Sequence, residues 1–120
     1  MLNRDPVILG KTYDLVLLDV PCSGTGAWRR NPDGKWRFSD ADLQDLIETQ
    51  AGILARCSKL VADGGIMAYV TCSLLYDENE AQIERFLATE ENWDISKSRR
   101  FNPSGETDGF FLTVLQVKQL

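Results

Sequence analysis

Two of the three cysteines in this chain directly follow apolar, strand-like segments. Cys22 lies in the run DVPCSGTG at residues 19–26, and Cys72 lies between Thr71 and Ser73. A thiol at the point where a strand runs out into a loop is placed to meet a ligand, and its thiolate is a strong nucleophile. Two such thiols in one small chain predict that they take part in the same chemistry.

Length and composition are those of one ordinary globular domain. The chain has 120 residues, of which 43% are hydrophobic and 26% charged, and no apolar run approaches the roughly 20 residues that a membrane span needs. Residues 1–6 lack the pattern of a secretory signal, so we expect a cytoplasmic, reducing location and free thiols. The odd number of cysteines, their wide spacing and the lack of histidine argue against a structural zinc site.

Basic residues cluster in one segment of an otherwise acidic chain. The net charge of -5 ordinarily disfavours nucleic-acid binding, because phosphate contacts come from Lys and Arg. Residues 28–37 nevertheless hold four basic residues against one acidic residue, with a Trp near each end. Such a local patch can bind RNA even when the whole chain is acidic, although a solvated surface loop is the alternative interpretation. The candidate contacts in this segment are Arg29, Arg30, Lys35 and Trp36.

Hydrophobic patterning predicts alternating strands and helices. Residues 13–20 form a nearly continuous apolar run, which is typical of a strand buried on both faces of a parallel sheet. Apolar residues at helical spacing predict a helix over residues 39–62. Ser39 and Asp42 form its expected capping pair, and the glycines at 64–65 mark its expected end.

The second half of the chain continues this alternation. Residues 66–71 have the composition of another buried strand, which delivers Cys72 at its carboxyl end. Asp77 and Glu80 resemble a cap that opens a helix to about residue 88. The last two strands are expected at residues 93–96 and 110–117.

The resulting order β-α-β-α-β-β predicts an α/β fold with parallel strands joined by right-handed crossovers. Active sites of such sheets lie at the carboxyl ends of the strands, and Cys22 and Cys72 both fall at such ends. If the first two strands are neighbours, the two thiols open onto one crevice. Cys57, Phe110 and Phe111 are expected in the core.

Five motifs follow one another along the chain: LDVPCSGTG at 18–26, RRNPDGKW at 29–36, YVTCS at 69–73, ENE at 78–80 and DGFF at 108–111. Together and in this order they resemble the C-terminal half of the catalytic domain of Sun-type RNA (cytosine-5) methyltransferases, including bacterial enzymes of 16S ribosomal RNA. The resemblance implies a Rossmann-like, S-adenosylmethionine-dependent methyltransferase fold, mostly parallel, with a final antiparallel strand. Residues 1–120 would then form a partial catalytic domain.

The resemblance also assigns a role to each candidate in the site. Carbon 5 of cytosine is too weak a nucleophile to take a methyl group directly, so a thiolate first adds to carbon 6. Cys72 would be that nucleophile, at a helix start that favours its thiolate. Asp19 would hold the base edge and lie beside the cofactor, and Cys22 would assist release. Pro21 would stiffen the loop that positions Cys22 and would contact the substrate RNA. The basic segment would contact RNA, with the target base flipped out of any helix.

The same resemblance defines what the chain lacks. Complete enzymes of this type carry, upstream, a glycine-rich loop and acidic residues that bind S-adenosylmethionine, and nothing before Tyr13 matches them. We therefore expect these residues alone to be inactive and ribosomal RNA to be the partner of the complete enzyme. The sheet edge left bare by missing strands is expected to allow self-association.

Three other functions can be compared with these residues. A cysteine phosphatase needs Arg six places after its Cys, but Trp28 stands six places after Cys22, which disfavours that class. A thiol redox protein would use Cys22 and Cys72 as a reversible disulfide pair. A truncated, non-catalytic domain that binds RNA or a protein partner is the third alternative.

Overall fold

The computed structural model describes residues 11–25, 39–102 and 109–118. Its strands are β1 (Tyr13–Asp19), β2 (Val61–Thr71), β3 (Trp93–Phe101) and β4 (Phe110–Val117). Its helices are α1 (Asp40–Ser58) and α2 (Glu80–Thr89), and a short 3-10 turn at Tyr76–Glu78 precedes α2. This order confirms the predicted β-α-β-α-β-β pattern. Neither of these helices is long and apolar enough to cross a membrane.

The four strands form one sheet in the order β1-β2-β4-β3. β1 pairs with β2 in parallel, whereas β4 runs antiparallel to both of its neighbours, β2 and β3. β1, β2 and β3 therefore point the same way, and the final strand is the one that is reversed. The predicted α/β fold, with a mostly parallel sheet and a final antiparallel strand, is confirmed.

The hydrophobic core lies between one face of the sheet and the two helices. Leu54 of α1 and Phe86 of α2 belong to the same buried cluster as Tyr69 of β2 and Phe111 of β4. Cys57 is half-buried and packs against this cluster, in agreement with its predicted place in the core. Burial of these side chains is the main source of the free energy that holds the helices on the sheet.

The opposite face of the sheet is less covered. Side chains alternate along β1, so Val16 and Leu18 face the core, whereas Leu15 and Leu17 face away and are 60% and 66% exposed. The prediction that this strand is buried on both faces is therefore wrong in this structure, because α1 and α2 both pack on the other face.

Helix α1 begins as predicted but ends earlier. Ser39 N–H donates a hydrogen bond to Asp42 Oδ2 (2.9 Å), and Asp42 N–H donates to Ser39 Oγ (3.1 Å), which confirms the capping pair. The expected end at the glycine pair is wrong, because α1 ends at Ser58 and both Gly64 and Gly65 lie inside β2. Pairing with β1 already starts at the first residue of β2, so the chain leaves the helix early to extend the sheet.

The start of α2 and the length of β3 also differ from prediction. Asp77 lies in the 3-10 turn, and the residue that precedes α2 is Asn79, which makes no side-chain cap. Glu80 instead forms an ion pair with Arg100 (2.6 Å), so the predicted cap is wrong. β3 runs further than predicted, to Phe101, because its backbone pairs with β4 along the whole strand.

Phe110 and Phe111 point to opposite faces of the sheet. Phe111 is buried, as predicted, but Phe110 is not a core residue, since it is 37% exposed. Its ring stacks on that of Phe101, its cross-strand neighbour, with the ring centroids 4.3 Å apart. The alternation of side chains along a strand places only one of two consecutive residues on the core face.

Candidate active site

The loops that follow β1 and β2 bring Cys22 and Cys72 into contact. The two strands are adjacent and parallel, with Asp19 opposite Val70, so both loops leave the sheet at the same edge. The two Sγ atoms lie 3.2 Å apart, within hydrogen-bond distance for sulfur. Cys72 is exposed and Cys22 is half-buried, so the pair opens onto one crevice, as the strand order predicted.

The contact between the sulfur atoms makes the two thiols differ in pKa. The hydrogen bond from the Cys22 thiol lowers the pKa of Cys72 to about 7, against the opposing effects of burial and of the charges on Asp19 and Glu78. The same bond, together with burial, raises the pKa of Cys22 far above its ordinary value. Cys72 is therefore the more acidic thiol of the pair. The predicted cause, a helix start directly after Cys72, is wrong, because α2 begins only at Glu80.

Glu78 lies buried behind the thiols and joins both loops. Its Oε2 accepts hydrogen bonds from Ser23 N–H (2.8 Å) and from Gln50 Nε2 (2.9 Å). Its Oε1 accepts hydrogen bonds from the hydroxyls of Ser23 (2.5 Å) and Ser73. Its backbone carbonyl accepts one from the Tyr69 hydroxyl (2.7 Å). One carboxylate thus contacts the residue that directly follows each cysteine.

A second set of hydrogen bonds shapes the loop after β2. Thr71 Oγ1 donates to Asn79 Oδ1 (2.6 Å), and Asn79 Nδ2 donates to Ser73 O (2.9 Å). Thr25 Oγ1 accepts from Leu74 N–H (2.6 Å), which ties this loop to the loop after β1. These bonds hold the backbone on both sides of the exposed thiol.

Asp19 and Pro21 flank the thiol pair on the loop after β1. Asp19 is exposed at the carboxyl end of the strand, and its negative charge acts on Cys72. Pro21 is exposed, and its carbonyl accepts a hydrogen bond from Gln50 Nε2 (2.8 Å), which anchors the loop to α1. The other predicted RNA contacts lie outside the described residues; they are Arg29, Arg30, Lys35 and Trp36.

A family model described as 16S rRNA methyltransferase RsmB/F matches residues 1–116. The chain belongs to this family. The match confirms the resemblance to RNA methyltransferases, including enzymes of 16S ribosomal RNA, that the five sequence motifs indicated.

The chain is also similar to individual curated proteins and solved structures. The probable ribosomal RNA small subunit methyltransferase B of Synechocystis sp. is 44% identical over 104 residues, which are 87% of this chain and 23% of that protein. The crystal structure of PH0851 is 30% identical, with a TM-score of 0.86, over 95% of this chain and 28% of that one. NSun6 from Pyrococcus horikoshii with SFG is 23% identical, with a TM-score of 0.79, over 99% of this chain and 34% of that one, and shows the same fold.

The chain spans about a quarter of the length of the curated relatives that it matches. Its similarity to them therefore covers one part of their structure.

Two site residues of this RsmB/F chain could not be assigned from the sequence. Glu78 and Gln50 are fully buried, and they hydrogen-bond to each other behind the thiol pair. Glu78 belongs to the ENE motif, but the motif by itself gives it no role. Gln50 lies among apolar residues on the buried face of α1, and a polar residue on such a face is the signal that it has a buried partner.

Proposed function

We propose that the thiol pair is the base-binding and nucleophilic side of an RNA cytosine-5 methylation site, which acts on ribosomal RNA in the complete enzyme. The observation that carries this proposal is the 3.2 Å contact between the Sγ atoms of Cys22 and Cys72, with Cys72 exposed. Membership of the RsmB/F rRNA methyltransferase family supports the class of reaction and of substrate.

Cys72 is the nucleophile in this proposal. Its thiolate adds to carbon 6 of cytosine, which forms an S–C6 bond and moves electron density onto carbon 5. A pKa of about 7 provides thiolate at neutral pH, and the exposure of Cys72 lets a base reach its sulfur. Asp19, exposed at the carboxyl end of β1, holds the base edge near ring nitrogen 3 and supports the charge that develops there.

Cys22 assists the release of the methylated base. In the free site it shares its proton with the Cys72 sulfur, and this hydrogen bond is the main cause of its raised pKa. Once Cys72 is bonded to carbon 6, its sulfur carries no negative charge and that cause is lost. Cys22 can then lose its proton to solvent, and its thiolate accepts the proton from carbon 5. The electron pair of that C–H bond forms the C5–C6 double bond as the S–C6 bond breaks, and Cys72 leaves as a thiolate.

S-adenosylmethionine is the proposed methyl donor, and it supplies the methyl group that carbon 5 receives. Asp19 is the candidate contact to this donor, because ligands of α/β sheets bind at the carboxyl ends of the strands and Asp19 presents an exposed carboxylate there. Methyltransferase family membership supports this class of donor, and the NSun6 structure with the same fold contains SFG, an S-adenosylmethionine analogue.

RNA is the proposed partner of the complete enzyme. Arg29, Arg30 and Lys35 supply contacts to phosphates, and Trp36 supplies a surface on which an unpaired base stacks. Pro21 limits the movement of the loop beneath the flipped cytosine. We also propose a cytoplasmic location, because a nucleophilic thiol with a second thiol in contact stays reduced only in a reducing compartment.

A chimera tests this function. The matched segment of the Synechocystis relative is replaced by this chain, and the purified protein is incubated with methyl-labelled S-adenosylmethionine and small-subunit ribosomal RNA. We expect label on carbon 5 of cytosine and no label with the Cys72→Ala chimera. Cys57→Ala is the matched control and should keep methylation, because Cys57 packs against the hydrophobic core and has no role in the proposed reaction.

Two results would contradict the proposal. Methylation that survives Cys72→Ala would exclude Cys72 as the nucleophile. A folded chimera that methylates another base, or another atom of cytosine, would exclude the reaction itself.

A second candidate function, a reversible thiol redox pair, is favoured by the same 3.2 Å contact. Hydrogen peroxide would oxidise the Cys72 thiolate to a sulfenic acid and release hydroxide, and the Cys22 thiol would then displace water to form a disulfide. Mass spectrometry of the chain after peroxide treatment measures this as the loss of two hydrogens. A disulfide in equilibrium with glutathione would support the redox function, whereas direct oxidation to sulfinic acid would exclude it.

A further inference from the structure

We propose that Glu78 is a positioning residue that holds Cys22 and Cys72 together and so maintains the hydrogen bond between their sulfur atoms. The inference rests on the proposed function for its meaning in catalysis, but its geometry can be tested without RNA or a methyl donor. Glu78 itself is fully buried and touches neither sulfur in the described hydrogen-bond network, so it acts through its neighbours.

The carboxylate of Glu78 collects donors from three separate parts of the chain. Ser23, from the loop after β1, donates through both its backbone N–H and its hydroxyl. Ser73, from the loop after β2, donates through its hydroxyl, and Gln50 donates from α1. All four donors are neutral, so the buried charge is stabilised by hydrogen bonds, which a carboxylate accepts with both oxygens.

Two of these donor residues are the direct sequence neighbours of the cysteines, so their hydrogen bonds to Glu78 affect where the two sulfur atoms lie. Ser23 directly follows Cys22, and Ser73 directly follows Cys72. A shift of the backbone at either serine therefore also moves the preceding cysteine, because the two residues share a planar peptide bond. Thr25 also bridges the two loops. Its Oγ1 accepts from Leu74 N–H (2.6 Å) and hydrogen-bonds to the Ser73 hydroxyl (3.3 Å), and its N–H donates to Ser23 Oγ at the longer distance of 3.4 Å.

Glu78 has two effects on Cys72, and they are opposite in sign. By holding the loops it maintains the hydrogen bond from Cys22, which is the largest cause of the lowered pKa of Cys72. Its negative charge, in contrast, raises the pKa of Cys72. One substitution can remove only the charge of Glu78, and another can remove both the charge and the hydrogen bonds to the loops. Comparison of the two distinguishes a positioning residue from one that merely fills the core.

Glu78→Gln removes the charge and keeps the shape. The amide oxygen can accept from Ser23 N–H and Gln50, while the amide NH₂ donates to the hydroxyls of Ser23 and Ser73, since a hydroxyl both donates and accepts. We expect the sulfur contact to survive and the pKa of Cys72 to fall below that of the unsubstituted chain. The alkylation rate of Cys72 by iodoacetamide at pH 6 should then rise.

Glu78→Ala removes both the charge and the hydrogen bonds that hold the two loops. We expect the loops to separate, the Cys22 hydrogen bond to be lost and the pKa of Cys72 to return towards its ordinary value of about 8.5. The rate of iodoacetamide alkylation at pH 7, measured by mass spectrometry of the Cys72 peptide, should fall on the order of tenfold because the thiolate fraction falls. Glu48→Gln is the matched control, because Glu48 is an exposed carboxylate that pairs with Arg85, and it should change neither rate.

A double variant covers the case in which Glu78→Ala does not fold. Ser23→Ala with Ser73→Ala removes the two hydroxyl donors and keeps the Ser23 N–H and Gln50 bonds, so it should raise the pKa of Cys72 by a smaller amount. Circular dichroism establishes that each variant is folded. An unchanged pH profile of Cys72 alkylation in folded Glu78→Ala, or in the folded double variant, overturns the proposal, whether or not the chimera methylates RNA.

Discussion

Cys22 and Cys72 stand 50 positions apart in the chain, yet their Sγ atoms lie 3.2 Å apart in the fold. The contact makes them unequal, because one sulfur donates a hydrogen bond and the other is stabilised as a thiolate. The low pKa of Cys72 therefore depends mainly on the hydrogen bond that its partner cysteine donates.

The first prediction concerns the pH dependence of Cys72. A thiol is alkylated as its thiolate, so the rate rises with pH through the pKa, which is about 7 in the unsubstituted chain. Cys22→Ala removes the donor and should move this rise towards the ordinary pKa of about 8.5. Cys22→Ser keeps an O–H donor and should retain most of the low pKa. Equal profiles for the alanine and serine variants would show that the hydrogen bond is not the cause.

The second prediction concerns release of the product. In the chimera, Cys22→Ala leaves Cys72 able to attack but removes the proposed acceptor of the carbon 5 proton, so methylated RNA should stay bound to the enzyme. Denaturing electrophoresis with labelled RNA measures this as a slowly migrating covalent complex. The band should be absent from the double variant Cys22→Ala with Cys72→Ala. A complex that persists in the double variant would point to a different nucleophile.

The third prediction compares two glycines. A Cβ on Gly65 would lie 2.9 Å from Ala62 O, Asp14 O and Val61 Cγ1, so Gly65→Ala should lower the free energy of unfolding by about 1–3 kcal/mol. Gly52, within α1, has nothing within 4 Å of such an atom, so Gly52→Ala should raise it by about 0.5–1 kcal/mol. Urea unfolding followed by circular dichroism measures both. Similar effects of the two substitutions would contradict the close approach of strands at Gly65.

The fourth prediction concerns the basic segment. Arg29→Ala, Arg30→Ala and Lys35→Ala together should weaken binding to single-stranded ribosomal RNA and reduce the slope of log K against log salt by about 2, at roughly 0.7 for each lost phosphate contact. Fluorescence anisotropy at several salt concentrations gives this slope. The control variant has the same change in net charge. It carries alanine in place of three exposed lysines outside the basic segment, Lys11, Lys59 and Lys97. The same slope in both triple variants would show that the segment makes no specific contribution.

The fifth prediction concerns self-association through β1. β1 lies at the edge of the described sheet and exposes Leu15 and Leu17, whereas the other edge strand, β3, carries several charges that discourage pairing. Light scattering should show association at micromolar concentrations, and Leu17→Lys should shift the chain to the monomer. Ile95→Lys on β3, where Ile95 is 49% exposed, should leave association unchanged. A monomer at all concentrations would contradict this prediction.

Local signals accounted well for the secondary structure. β4 has the bounds that its β-branched and apolar run predicted, and the capping pair of Ser39 and Asp42 starts α1. The end of α1 could not be predicted in the same way. Gly64 has a φ of +79°, and Gly65 closely approaches the neighbouring strand; both lie where the register of β2 against β1 shifts, between Val61 and Ile66. Glycine is also typical of helix ends.

The sequence by itself determined the order of the elements, the family, and the presence of one thiol at the carboxyl end of each of two strands. Those properties depend on residue type and spacing, which act over a few positions along the chain. Only the tertiary structure decided that the sulfur atoms touch, that Cys72 has the lower pKa of the two and that Glu78 is buried between their loops. The acidity of a group depends on the donors, charges and burial around it in space, and here these come from segments about 50 positions apart.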